Sequence, residues 1–148
     1  MKLFILLLSI IFILGCQTYT DDYNMLITNN SNTAISFGNL YPVSFDRVSI
    51  DGVLMPGETC RVPCGVGKPQ SWIPIFEKEG EQTIYIFQGE LFSGFVDDVN
   101  NRGDISILIR YTFNLSDMIH LNWKFTYPPT EDMKDVHMYP PYSVWAEE

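Results

Sequence analysis

The sequence predicts an all-β domain built as an antiparallel β-sandwich. Apolar and polar residues alternate at a period of two in ISILIRYTF (105–113) and NWKFTY (122–127), which is typical of strands with one buried face. Turn-forming residues separate about seven short strands of this kind. Helical patterns are scarce, and the clearest is LSDMIHL (115–121). This spacing favours an immunoglobulin-like sandwich with one short helix between the last two strands.

The first strands come from residues 25–62. MLIT (25–28) and TAISF (33–37) flank the turn-rich loop NNSN, which predicts a hairpin. Met55-Pro56-Gly57-Glu58 places Pro and Gly for a type II turn. This turn should join a strand at Val48–Leu54 to another at Thr59–Val62.

The middle of the chain supplies a central strand. TIYIFQ (83–88) is apolar on both faces, as expected of a strand covered on both sides. The preceding SWIPIFEKEG (71–80) contains Pro74 and Gly80, which limit it to a short turn. Its apolar residues either form an exposed binding loop or, in the preferred interpretation, cap the core: Trp72, Ile73, Ile75 and Phe76.

The helix at LSDMIHL should form a corner between two strands. Ser116 is a candidate N-cap, and Asp117 lies in the first turn, where a negative charge is favourable. The predicted apolar contacts are Met118, Ile119 and Leu121.

The N-terminus has the features of a secretory signal. In MKLFILLLSIIFILGC, one Lys precedes an apolar stretch that is too short to span a bilayer as a helix. The ending Ile-Leu-Gly-Cys resembles a bacterial lipobox, which implies that Cys16 is lipidated and begins the mature chain. An ordinary secretory signal that contains Cys16 is the alternative. We therefore predict a signal peptide at 1–15, a flexible tether at 16–24 and a single sandwich domain at 25–148.

The net charge of −9 at pH 7 limits the expected partners. No basic patch is present that could release counterions, so we expect no binding to nucleic acid. The expected partners are the membrane, through the lipid anchor, and an envelope protein or glycan.

Two further cysteines, Cys60 and Cys64, remain once lipidation has used Cys16. An even pair in an oxidising compartment favours a disulfide. Full extension would separate the two residues by about 13 Å, beyond disulfide reach, so a bend at Val62-Pro63 is required. A disulfide and two reduced thiols both remain open. We expect no metal site and no cofactor, because His120 and His137 do not complete a zinc motif with this cysteine spacing.

The loop DDVNNRGD (97–104) can be interpreted in more than one way. Three of its residues match early positions of a calcium loop: Asp98, Asn100 and Gly103. Arg102, however, occupies a ligand position, and Ile109 replaces the closing Glu. Residues 102–104 also match an Arg-Gly-Asp adhesion tripeptide. We prefer a polar hairpin loop, because apolar strands flank it.

The C-terminal segment TYPPTEDMKDVHMYPPY (126–142) contains Tyr-Pro-Pro twice. Consecutive prolines lack backbone donors and favour polyproline-like extension, so neither copy should be a central strand. The first copy should end the preceding strand, and Thr130 should cap a single turn. Apolar contacts are expected from Met133, Val136 and Met138. The segment either covers a sheet edge as a terminal latch, which we prefer, or presents a stiff aromatic and proline surface to a partner.

Residues 110–142, RYTFNLSDMIHLNWKFTYPPTEDMKDVHMYPPY, resemble the C-terminal signature of a family of small lipoproteins from Bacteroidales gut bacteria. The closest resemblance lies in NWKFTYPPTEDMKDVHMYPPY (122–142). It implies an outer-membrane lipoprotein, on the periplasmic face or at the cell surface, and implies no activity or functional residue.

The sequence has no acid, base and nucleophile at a diagnostic spacing. We therefore expect a noncatalytic, lipid-anchored envelope protein with a binding or structural role, rather than an enzyme. The alternative is an envelope hydrolase or a hydrolase inhibitor. A pocket with convergent carboxylates would favour catalysis, and an aromatic patch would favour binding.

Overall fold

The computed structural model describes residues 24–40, 47–64, 71–91, 95–97 and 107–146. The signal peptide, Cys16, most of the tether and the loop from Asp98 to Asp104 lie outside these residues. The described elements are β1 (Leu26–Asn29), β2 (Ile35–Leu40), β3 (Arg47–Leu54), β4 (Thr59–Arg61), α1 (Ile73–Glu79), β5 (Glu81–Gln88), β6 (Phe95–Asp97), β7 (Ile107–Asn114), α2 (Leu115–His120), β8 (Lys124–Tyr127) and β9 (His137–Tyr139). Single 3-10 turns at Glu131–Met133 and Tyr142–Val144 flank β9.

The strands form two sheets. The larger has the order β6-β3-β2-β5-β7-β9, and all its neighbours are antiparallel. The smaller has the order β4-β1-β8, in which β1 is antiparallel to β4 but parallel to β8. The structure thus confirms a mostly β fold with two sheets. The prediction that all strands are antiparallel is wrong for one pair. β8 lies on the side of β1 opposite to β4 and runs parallel to β1.

One hydrophobic core joins the inner faces of both sheets, and its centre is aromatic. Phe125 of the smaller sheet lies 4.8 Å from Phe113 and 5.6 Å from Tyr111 of the larger sheet, measured between ring centroids. Each such aromatic pair contributes about 0.5–1.5 kcal/mol beyond its area burial. Ile109, Tyr111 and Phe113 alternate with less buried residues along β7. The alternation predicted from ISILIRYTF is therefore confirmed from Ile109 to Phe113. It is wrong at Ile107, which packs against the apolar cluster on the outer face because the β5–β7 register shifts between Ile86 and Phe87.

The central strand predicted from TIYIFQ is also confirmed, since β5 lies between β2 and β7. Ile84 and Ile86 belong to the main core. Tyr85 and Phe87 point to the opposite face, where they join a second, smaller apolar cluster. The larger sheet therefore has buried side chains on its outer face as well.

The hairpin predicted at NNSN is wrong, because β1 and β2 belong to different sheets. The buried side chain of Asn29 explains how the chain crosses over. Its Nδ2 donates to the carbonyl oxygens of Thr33 (2.8 Å) and Leu54 (3.0 Å), and its Oδ1 accepts from Ser31 N (3.0 Å). These bonds satisfy the amide inside the protein and fix the loop as an intersheet connection.

The turn predicted at Met55–Glu58 is confirmed. Glu58 N donates to Met55 O at 3.1 Å, and Gly57 has a φ of +82°, which a type II turn requires at its third position. The turn joins β3 of the larger sheet to β4 of the smaller one. It is thus a second intersheet connection, and Gly57 N ties it to Asn29 O at 2.7 Å.

Residues 71–80 form a short helix that closes the core. α1 has Pro74 in its first turn and ends at Gly80, whose φ is +80°. Trp72 and Phe76 are buried, and Trp72 Nε1 donates to Val62 O at 3.2 Å. The core-capping interpretation of these aromatic residues is therefore confirmed.

The second helix starts earlier than predicted. Asn114, not Ser116, is the N-cap of α2: Asp117 N donates to Asn114 Oδ1 (2.9 Å), and Asn114 N donates to Asp117 Oδ2 (2.8 Å). This reciprocal capping box satisfies two terminal donors. Met118 is buried as expected, but Ile119 is 62% exposed, so its predicted contact is wrong.

The helices also differ from the prediction in number and position. α2 joins β7 to β8, but β9 follows, so α2 does not lie between the last two strands. α1 adds a second helix. Among the described residues, no helix has the length and apolar character needed to cross a membrane.

Candidate functional site

The C-terminal segment 126–142 carries the chain from the smaller sheet to the edge of the larger one. β8 ends at Tyr127, as predicted, and β9 then pairs antiparallel with β7. The predicted contacts of Met133, Val136 and Met138 are confirmed, since all three are buried in the main core. The segment therefore covers an edge of the larger sheet and fills part of the core.

The local geometry of this segment differs from the prediction at Thr130. Both Tyr-Pro bonds, Tyr127-Pro128 and Tyr139-Pro140, are cis, and Pro141 has the extended φ of −65° and ψ of 155° that are typical of polyproline. Thr130 does precede a single 3-10 turn, but its hydroxyl makes no bond to a backbone donor of that turn. It pairs with the Asp132 carboxylate instead.

A small cleft lies on the outer face of the larger sheet, where β9 meets β7. Its volume is about 190 Å³, and its lining residues are Tyr85, Ile107, Arg110, Tyr139 and Pro140. Tyr85 lies directly across from Arg110 in the β5–β7 ladder, and Arg110 lies directly across from Tyr139 in the β7–β9 ladder. Neighbouring strands are about 4.8 Å apart, so the three side chains form a short line across three strands, here named the Tyr–Arg–Tyr row.

The two tyrosines of the row have different surroundings. Tyr85 is 8% exposed and stacks on Phe87, with ring centroids 6.2 Å apart and an interplanar angle of 12°. Tyr139 is 67% exposed. Tyr85 therefore forms a fixed floor, and Tyr139 forms a solvent-facing wall.

Arg110 supplies the charge of the cleft. Its Cζ lies 5.7 Å from the ring centroid of Tyr139, within the range of a cation–π interaction. Among the described residues, no carboxylate forms an ion pair with Arg110, whereas Lys78 does form one with Glu79. The cleft thus combines an exposed guanidinium with aromatic and apolar walls.

This combination determines what the cleft can do chemically. The guanidinium only donates hydrogen bonds, so it suits a ligand that carries acceptors or a negative charge. The described lining contains no carboxylate and no histidine, the groups that most often act as general acids and bases. The arrangement is therefore suited to binding an acceptor-bearing group.

Cys60 and Cys64 lie at the margin of the core, on β4 and shortly after it, and both are partly buried. No disulfide joins these two described residues, and Cys60 Sγ donates to Arg61 O at 3.4 Å. Their oxidation in the envelope stays a prediction, as does the lipidation of Cys16, which lies outside the described residues.

One carboxyl group, that of Asp51, is held in an unusual environment. Burial raises the pKa of Asp51 from 3.8 to about 6, although hydrogen bonds from the Ser49 side chain and the Asn39 backbone oppose the rise. No described group donates to its buried Oδ2. Asp51 lies at an irregularity of β3, where Ile50 and Gly52 pair with consecutive residues of β2. It does not line the cleft.

The remaining titratable candidates have structural surroundings. Burial raises the pKa of Tyr111 well above its usual range, with Tyr127 as a second cause. Its hydroxyl donates to Thr126 O at 2.8 Å, which links the two sheets. His120 and His137 are both exposed. Among the residues that the structure describes, no group of three His, Cys, Asp or Glu side chains is placed to hold a metal ion.

In comparisons with known proteins, no family model, no curated protein and no solved structure matched the chain.

Tyr85 and Arg110 were not among the site residues predicted from the sequence. A signal was available, because Arg110 is the charged residue on the polar face of ISILIRYTF and Tyr85 has the opposite parity to Ile84 and Ile86. The pairing of β5 with β7 was not predictable in register, and this pairing alone brings the two side chains together.

Proposed function

We propose that this protein is a noncatalytic, lipid-anchored binding protein of the cell envelope and that the cleft at the Tyr–Arg–Tyr row is its binding site. One observation carries the binding role: an arginine without a described carboxylate partner lies between two tyrosines in a cleft. Arg and Tyr are enriched at sites that dominate binding energies. The lining offers no described acid–base pair, which is why binding is proposed rather than hydrolysis.

The lipid anchor is proposed on the sequence pattern of residues 1–16. Cys16 would carry the lipid, residues 16–24 would form the tether, and the protein would belong to the outer membrane, on its periplasmic face or at the cell surface. The resemblance of residues 110–142 to Bacteroidales lipoproteins supports this assignment. Replacing Cys16→Ser should move the protein from the membrane to the soluble fraction, and its retention in membranes would contradict the anchor.

The finer architecture belongs to the same proposal. We propose an immunoglobulin-like sandwich at 25–148 whose C-terminal segment is a latch. Two sheets around one aromatic core support the sandwich, and the burial of Met133, Val136 and Met138 supports the latch. Tyr139 and Pro140 of the same segment line the cleft. Fastening and binding would therefore be two roles of one segment.

Photo-crosslinking in intact cells tests the binding role without knowledge of the ligand. A benzophenone amino acid at His137 would lie beside the cleft, because His137 is exposed and shares a strand face with Tyr139. The matched control position is Lys124, which is exposed on the smaller sheet. Light should give a discrete adduct from position 137 and none from 124, and Arg110→Gln should abolish it. Equal labelling from both positions, or an adduct insensitive to Arg110→Gln, would refute a binding site at the cleft.

A further inference from the structure

We propose that the cleft binds a ligand with one carboxylate attached to a single ring. This inference rests on the proposed function, since it assigns a ligand class to the same cleft. It follows from the charge of Arg110, the size of the cleft and the overall charge of the chain.

The carboxylate follows from Arg110. Its Cζ lies 5.7 Å from the centroid of the Tyr139 ring, within the range of a cation–π interaction. The guanidinium carries five N–H donors and no acceptor. These donors form a rigid fork that matches the two oxygens of a carboxylate. Among the described residues, no carboxylate pairs with Arg110, so a ligand carboxylate would compete with none of them for this fork.

The single ring follows from the dimensions of the cleft. Its volume of about 190 Å³ is below the usual range of about 300–1,000 Å³ for pockets that enclose drug-sized ligands. Tyr85 provides a flat floor, and Ile107 and Pro140 provide apolar walls. One ring can lie against these surfaces while its carboxylate reaches Arg110, and a larger ligand would extend into solvent.

A single negative charge follows from electrostatics. The chain has a net charge of −9, so its field repels polyanions at long range. Arg110 is the only cationic residue in the described lining. A ligand with one charge gains the local pairing with Arg110 and suffers the least repulsion from the rest of the protein.

Two sources could supply this chemistry, an acidic sugar unit of a glycan or an aromatic acid. The test is an NMR titration of the purified full chain at fixed ionic strength. The probes are D-glucuronate and benzoate, with D-glucose as the neutral match to glucuronate and inorganic phosphate as a bare anion. We expect one of the two carboxylates to bind with a Kd on the order of 1 mM. Its affinity should exceed that of glucose and of phosphate by about ten-fold or more, as a charge-assisted bidentate pair implies.

Substitutions in the cleft test whether the carboxylate binds there. Arg110→Gln should weaken the carboxylate by about ten-fold or more, and Arg110→Lys should weaken it in part, because the charge is kept and the fork is lost. Tyr139→Ala should also weaken it, whereas Lys124→Gln on the other sheet should leave it unchanged. Tighter binding of glucuronate would identify an acidic sugar, and tighter binding of benzoate would identify an aromatic acid.

The ligand class and the proposed function fail in different ways. The ligand class is overturned if neither carboxylate binds, if glucose or phosphate binds as tightly as both carboxylates, or if Arg110→Gln has no effect on the titration. In each of these cases, an Arg110-dependent crosslink from position 137 would leave the binding role standing. A crosslink from position 137 that does not depend on Arg110, or that position 124 gives equally, would refute the binding role itself.

Discussion

The two Tyr-Pro-Pro copies have the same sequence and the same cis Tyr-Pro bond, yet their surroundings are opposite. In the first copy, Tyr127 is 7% exposed and packs edge-on against Trp145, with ring centroids 5.7 Å apart. Pro129 is buried too. In the second copy, Tyr139 is exposed and lines the cleft, and Pro141 is exposed.

The difference shows that strand pairing, rather than the tripeptide, decides the role of each copy. Tyr127 ends β8, next to Asn29 of β1, and joins the main core. Tyr139 lies across from Arg110 on the outer face of the larger sheet. The first copy is therefore part of the core, and the second is part of the surface. On our proposal, the first copy fastens the C-terminal segment and the second contributes to the binding site.

Truncation after Tyr127 should have the largest effect on stability. It removes Met133, Val136 and Met138 from the core, and each buried side chain of this kind contributes about 1.5–3 kcal/mol. The conformational freedom that the segment regains offsets part of this loss. We expect the midpoint of thermal unfolding, measured by circular dichroism, to fall by about 10 °C or more.

A truncation after Ala146 is the matched control, because it removes only Glu147 and Glu148 and should leave the midpoint unchanged. If the shorter chain fails to fold, Met133→Ala tests the same contact with an expected loss of about 2–5 kcal/mol. An unchanged midpoint in the truncated protein would mean that the segment does not fasten the fold, and an Arg110-dependent crosslink from position 137 of the full chain would then leave it a binding role alone.

Equivalent substitutions in the two copies should give unequal losses of stability. Tyr127→Ala removes a buried ring and its contact with Trp145, so we expect a loss of about 3 kcal/mol in the free energy of unfolding. Tyr139→Ala removes an exposed ring, and we expect a change within about 0.5 kcal/mol. Urea unfolding monitored by circular dichroism measures both. Equal losses would contradict the division of roles.

Ligand titration should give the reverse order. Tyr139→Ala should weaken the carboxylate that binds wild-type protein, while Tyr127→Ala should leave its affinity unchanged under conditions where the variant is folded. A variant that loses both properties to the same extent would indicate that the two copies act as one unit.

Patterns within a single strand were predictable from the sequence, but pairings between distant strands were not. The alternation from Ile109 to Phe113, the two buried faces of TIYIFQ and the turn at Met55–Glu58 depend on neighbouring residues, and the structure confirms each of them. Ile107 was placed on the wrong face because the shift in the β5–β7 register depends on the partner strand. The hairpin at NNSN was wrong because the buried amide of Asn29 has partners as distant as Leu54. The N-cap is a different case, because Asn114 and Asp117 are only three residues apart and their capping box is a pattern that the sequence itself contains.

The cleft could not be predicted for the same reason. Tyr85, Arg110 and Tyr139 come from three strands, separated by 25 or more residues in the chain, and only the register of the ladders aligns them. A shift of one residue in either pairing would turn a side chain to the other face of the sheet. Exposure of the second Tyr-Pro-Pro copy depends on the β7–β9 register, whereas burial of the first follows from the pairing of β8 with β1.

A substitution at Asp51 serves as a reference for the two Tyr-Pro-Pro copies, because it should change the stability of the protein at a position far from both of them. Asp51 belongs to β3, which β2, β5 and β7 separate from β9 in the larger sheet. Burial raises its pKa to about 6, above its ordinary value of 3.8, so folding disfavours the ionised carboxylate. The stability that this group contributes is fully present below pH 3.8 and is lost as the pH rises through about 6.

Asp51→Asn should therefore stabilise the protein at pH 8 and have little effect at pH 3.5, where the wild-type carboxyl is mostly protonated in both the folded and unfolded states. The raised pKa corresponds to about 1–2 kcal/mol after a reduction for partial exposure, or a rise of a few degrees in the midpoint of thermal unfolding at pH 8. Glu77→Gln is the matched control for the loss of a carboxylate, because Glu77 is exposed on α1. A lower midpoint for Asp51→Asn at pH 8 would mean that the bonds from Ser49 and Asn39 to the carboxylate outweigh its burial. The affinity of the cleft for its carboxylate probe should be unchanged in Asp51→Asn, because stability gained in β3 does not alter the register that holds Arg110 against Tyr139.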